Sequence, residues 1–136
     1  MKTRLALEFA DIQTILAAAE QEARANAWSV SIVVADDGGH PLGLLRLDGA
    51  APITAYIATE KARTAALGRR ESASYENIVK NGRTAFLSVP VLQAMIEGGV
   101  PIIADGTVIG AVGVSGVKSP EDAQIARAGI AALGLA

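Results

Sequence analysis

The sequence predicts an α/β protein of the α+β type, with a central antiparallel sheet of about five strands flanked by helices. Three observations carry this. Two segments rich in valine and isoleucine each fold back on themselves at a turn, Asp36-Asp37-Gly38-Gly39 and Asp105-Gly106, and so read as β-hairpins. The segments around them repeat apolar residues at steps of three and four, the period of a helix with one buried face. The strands come in adjacent pairs and do not alternate singly with helices, so a doubly wound parallel sheet is not expected. At 136 residues the chain suits one domain, 1–136.

The elements follow in order. Leu5 and Leu7 suggest a short leading strand. Phe9, Ile12, Ile15, Leu16, Ala19 and Ala23 then form one helical stripe, and Asn26 is a suitable stop. Ser29 to Asp36 reads as a buried strand, and Pro41 to Leu47 returns as its partner, with proline at the start, where its missing N–H matters least. Asp48-Gly49 and Pro52 break the strand ahead of a helix from Ile53 to Leu67, which Gly68 ends. Ser72 to Lys80 is a second short helix, closed by Asn81-Gly82. Between Thr84 and Glu97, Pro90 interrupts any period, and Val91 to Ile96 reads as either a helical turn or a short strand. Val100 to Ala104 and Thr107 to Ser115 make the second hairpin. Gly110 and Gly113 within it mark a close backbone approach or a bulge. The last helix starts with Ser119 as N-cap, Pro120 at the first helical position, and Glu121 and Asp122 complementing the helix dipole. Gly134 ends it.

Composition narrows the function. Hydrophobic residues make up 51% of the chain and charged residues 19%, enough for a real core and unlike a disordered chain. The net charge of −2, spread without basic blocks, argues against nucleic acid as a partner. Cysteine is absent, which removes disulfides, thiolate catalysis and Cys-ligated metals. The first residues lack the apolar core of a signal peptide, and no run approaches the ~18 apolar residues of a membrane helix. The expectation is a soluble cytoplasmic protein with no membrane partner. The helices are rich in alanine and leave a thin core, which suggests that a second subunit covers apolar surface, as a dimer or larger homo-oligomer.

Several residues are candidates for a site. His40, the only histidine, is either a general base, an axial ligand to a haem or corrinoid, or a plain solvent-facing hairpin residue. Arg46 ends a strand, where it can clamp a carboxylate or make a surface ion pair with Asp48 or Glu60. Lys61 falls on the apolar stripe of its helix, so it either snorkels or points into a pocket. Glu97 precedes Gly98-Gly99, where a ligand can approach the backbone and the carboxylate can act as acid or base. Ser115-Gly116 suggests an anion cradle by the last helix. Asp122 needs no further role than its helix start.

These segments together resemble the GlcG/HbpS family, which includes the C-terminal domain of PduO-type proteins. The resemblance rests on VVADDGGHPLGLLRLDGA (Val33–Ala50), ATEKARTAA (Ala58–Ala66), GGVPIIADGTVIGAVGVSG (Gly98–Gly116) and PEDAQIARAG (Pro120–Gly129). Residues 69–87 do not align with it. It implies an antiparallel sheet surrounded by helices, frequent oligomerisation, haem binding in some members, and an association of others with corrinoid enzymes or with glycolate and aromatic degradation. It places the family's recurring polar positions on His40, Arg46, Lys61 and Glu97. Two functions stay open beside that of a structural accessory that stabilises a partner enzyme in a catabolic operon. One is a small-ligand-binding domain taking haem or a small carboxylate metabolite, with His40 as the metal ligand if haem binds. The other is a cofactor-independent tautomerase, hydratase or hydrolase, in which Arg46 orients a carboxylate and Lys61 or Glu97 moves a proton.

Overall fold

A computed structural model describes residues 1–135. Its elements are α1 (Phe9–Ala25), β1 (Ser31–Asp36), β2 (Pro41–Arg46), α2 (Ile53–Gly68), α3 (Ser72–Lys80), a 3-10 turn (Thr84–Ser88), β3 (Gly99–Ala104), β4 (Thr107–Ser115) and α4 (Ser119–Ala131). The strands form one antiparallel sheet in the order β2-β1-β4-β3. The α+β class and both hairpins are as expected, and the sheet has four strands where about five were anticipated. Neither Leu5–Leu7 nor Val91–Ile96 adds a strand. After Pro90, the chain instead runs irregularly to Glu97 and packs side chains into a small local core.

The two central strands are buried on both faces, as their unbroken apolar runs require. On one face, Ile32, Val34, Val112 and Val114 lie under α1 and α4, which contribute Ile12, Ile15, Ala19, Ala23, Ile125 and Ala126. Phe9, placed on the α1 stripe by spacing, is instead 73% exposed at the helix start. The other face is covered by α2, whose Ala58 and Ala62 meet Val33 and Ala35.

Glycine sets how close α2 can come. Gly99 and Gly113 are cross-strand partners. A Cβ at Gly113 would lie 2.1 Å from the Ala58 carbonyl oxygen, and one at Gly99 would lie 2.2 Å from that of Lys61. The helix backbone therefore rests directly on two bare strand positions, and alanines fill the space beside it. The Asp105-Gly106 turn has φ of 50° and 72°, the double positive pair of a type I′ hairpin turn.

Residues 72–97 leave the main body and return. Tyr75, Leu92 and Met95, joined by Ile78, Phe86 and Val89, form a core of their own. The neck is held by one hydroxyl: Ser72 Oγ donates to the Ile96 carbonyl at 2.6 Å and accepts from the Gly99 amide at 2.8 Å. Among the described residues no helix is long and apolar enough to cross a membrane.

Candidate functional site

The best-defined polar feature is internal. Lys61 sits on the sheet-facing flank of α2 and is 1% exposed. Its Nζ donates to the Val114 carbonyl at 2.9 Å and to Asp122 Oδ2 at 3.0 Å. Asp122 is 2% exposed, and its Oδ1 accepts the Val117 amide at 3.2 Å. Lys61 thus joins α2 to the end of β4 and to the first turn of α4. Burial pushes the Asp122 carboxyl above its ordinary value; the Lys61 charge, its hydrogen bond and the Val117 N–H pull it part of the way back. The ammonium is engaged and sealed from solvent, so Lys61 neither snorkels nor lines an open pocket.

Asp122 is the residue that the sequence reading passed over. Next to the anion cradle suggested at Ser115-Gly116, the Asp122 carboxylate accepts the Val117 amide. The available signal was the lysine itself. A lysine on an apolar stripe requires a buried anion, and few carboxylates lie on other elements' apolar faces. The N-terminus of α4 also begins one residue earlier than expected. Lys118 is the N-cap, and its amide is satisfied by Glu121 Oε1 at 3.2 Å.

His40 lies just past the β1–β2 turn with its side chain 78% exposed. Its Nδ1 is 3.0 and 3.1 Å from the two Asp36 oxygens, and Asp36 Oδ1 also accepts the Gly38 and His40 amides, each at 2.9 Å. Burial acts on the Asp36 carboxyl in the raising direction, but these bonds and the nearby imidazole outweigh it. The carboxyl is held below its ordinary value. An ionised Asp36 accepts a hydrogen bond from Nδ1–H, which leaves Nε2 as the open nitrogen. This is the carboxylate–histidine arrangement that orients metal-binding imidazoles. Asp36 also lines a cleft of about 370 Å³ whose other walls include Leu5, Leu7, Leu42 and Ile109, with Arg4 at its edge.

The other candidates divide by position. Gly98 and Gly99 are buried against Lys61: a Cβ on Gly98 would lie 2.7 Å from Lys61 Nζ. Their backbone is approached by α2, which occupies the space a ligand would use. Glu97 is half-buried beside them, without an ion-pair partner among the described residues. Arg46 is exposed on edge strand β2, and Gly99 lies on the opposite edge strand, β3. Arg46 pairs with neither Asp48 nor Glu60; the latter faces Arg63 at 3.5 Å. The structure therefore brings Lys61, Gly98 and Gly99 together and sets His40 and Arg46 apart from them. No cluster of three or more His, Cys, Asp or Glu side chains able to hold a metal ion occurs among the described residues.

The fold and these features define the class: a helix-flanked antiparallel α+β domain with a buried lysine–aspartate tie and an aspartate-clamped surface histidine. Comparison with known proteins makes the class specific. Residues 7–131 match the family model "Haem degrading protein HbpS-like", and the chain belongs to that family. It is 60% identical over 115 residues to Protein GlcG of Escherichia coli strain K12, covering 85% of each chain. Among solved structures, a PduOC:heme complex superposes with a TM-score of 0.89 at 25% identity, covering 97% of this chain and 98% of the other. A double mutant of Streptomyces reticuli HbpS superposes with a TM-score of 0.88 at 30% identity, covering 98% and 91%.

Proposed function

We propose that this chain is a small-ligand-binding domain, that haem is its ligand, and that His40 would hold the iron. The observation that carries the reading is the Asp36 clamp on His40 Nδ1, which fixes the ring and leaves Nε2 free to ligate iron. The residues nearby fit the group in kind. The cleft beside Asp36 offers apolar walls from Leu5, Leu7, Leu42 and Ile109, and Arg4 at its edge is paired with Asp37 at 2.6 Å. A PduOC relative of the same fold is a haem complex, which supports the choice of ligand. Bound there, haem would supply its own redox and ligand-binding chemistry. The protein's part is to orient His40, to hold its proton on Nδ1, and to present an apolar wall.

Because His40 is so exposed, a second copy of the chain is its proposed cover. Leu42 and Leu44, 41% and 46% exposed, lie on the edge strand that begins beside His40 and would be covered with it. The enzymatic alternative needs Lys61 as a free proton carrier and Arg46 within reach of the same substrate. With the ammonium engaged by Asp122 and Arg46 on the far edge strand, no observation favours it.

Titrating haemin into the purified chain tests this. The expected result is a Soret band that saturates at one haem per chain. A linear, unsaturable absorbance rise would overturn the reading.

A further inference from the structure

The sheet has two edges, and the chain closes only one of them. At the β3 edge, the Val114 amide donates to the Gly98 carbonyl at 3.1 Å. Antiparallel alternation then turns Gly98, Val100 and Ile102 inward to β4, and Gly99 and Pro101 outward. Both outward positions are blocked. Ser72 Oγ accepts the Gly99 amide at 2.8 Å and donates toward its carbonyl at 3.4 Å, and Pro101 has no N–H to offer.

Strand β2 alternates in the same way without that protection. The Leu47 amide donates to the Val30 carbonyl at 2.9 Å, so Leu47, Leu45 and Gly43 bond inward to β1. Leu44 and Arg46 therefore turn N–H and C=O outward, and no other element bonds them among the described residues. Both side chains are exposed. The bulge beside Val34 and Ala35 ends this open stretch on the His40 side. An uncovered edge that carries an exposed leucine is a template for another strand.

A second β2 fits that edge best in one antiparallel register. With Leu44 opposite the partner's Arg46, and Arg46 opposite the partner's Leu44, every outward N–H and C=O at these positions is paired. Leu44 opposite its own copy would set Arg46 against the bulge, and Arg46 opposite its own copy would face two like charges. Leu45 then meets its copy as a non-hydrogen-bonded pair, the kind whose side chains lie closest. We propose that β2 pairs with β2 of a second copy in this register, joining the two sheets into one across a twofold axis. This pairing gives the copy that covers His40 a definite seat, since it brings the partner's Asp48–Ala50 segment toward the His40 end of the strand. It does not depend on haem, and its test omits haemin so that the two proposals can fail separately.

The full chain is expected to sediment as a dimer at micromolar concentration. Its Leu44 and Arg46 amides should be protected from exchange and lose that protection on dilution to monomer. Charge at position 44 reads the register. Leu44→Lys faces the partner's Arg46 and should weaken the dimer about tenfold or more, whereas Leu44→Glu should keep or tighten it. Adding Arg46→Glu to Leu44→Lys should restore the dimer. The chain has no cysteine, so Leu45→Cys alone should oxidise to a linked dimer. A monomeric chain, a dimer indifferent to Leu44→Lys in a variant with the wild-type circular dichroism spectrum, equal weakening by Leu44→Lys and Leu44→Glu, or a dimer whose Leu44 and Arg46 amides exchange freely would each overturn the proposal.

Discussion

Lys61 is a structural charge, and its tie to Asp122 follows from the cost of burying an ammonium. Removing one partner leaves the other charged, buried and unpaired. Lys61→Met is expected to destabilise the chain by about 3–5 kcal/mol in urea denaturation, and Lys61→Met with Asp122→Leu should recover much of that loss. An unchanged midpoint in the single variant would show that the tie contributes nothing. Asp36 makes the complementary prediction. Its folded-state pKa is depressed, so its contribution is present above the unfolded value of about 4 and is lost as pH falls through the lower folded value. Asp36→Asn should therefore lower the melting temperature at pH 7, with the gap narrowing as the pH is taken to 3. At this scale the sequence revealed the odd lysine but not its partner. Lys61 and Asp122 are 61 residues apart, and each had a sufficient local explanation. Asp36 was legible only as a turn residue, because its grip on His40 needs the folded turn.

The element that fixes the architecture is α2, and what fixes α2 is the absence of side chains beneath it. Gly99 and Gly113 allow helix backbone to touch strand backbone, so Lys61 reaches past them to Val114 and Asp122. Gly113→Ala would place a methyl carbon 2.1 Å from the Ala58 carbonyl oxygen. The helix would have to lift, at a cost of about 1–3 kcal/mol or more. Thermal unfolding that matches the wild type would contradict this packing. Hairpins and amphipathic helices were readable because their signals are local: Asp-Gly turns, valine runs and three-four spacing. Gly113 could be read as a close approach but not as a seat for α2, which lies about 50 residues earlier in the chain. The 84–97 segment was not readable, because Pro90 breaks its period and its apolar side chains serve a satellite core assembled from three separate pieces.

For the molecule as a whole, the four-stranded sheet divides the polar groups into two populations. Lys61 and Asp122 hold α2 and α4 to the end of the sheet, while Asp36 and His40 face outward at the β1–β2 turn. Family membership, the α+β class and both hairpins could be argued from residues alone. The choice between an inward lysine site and an outward histidine site could not, since it depends on which side chains folding leaves free. The outward site carries the proposed function, and its most direct test is haemin binding to His40→Gly, followed by addition of free imidazole. The wild-type chain should bind one haem with a histidine-ligated Soret spectrum, His40→Gly should lose that spectrum and bind at least about tenfold more weakly, and imidazole should restore it. A His40→Gly spectrum and affinity indistinguishable from wild type would contradict the assignment.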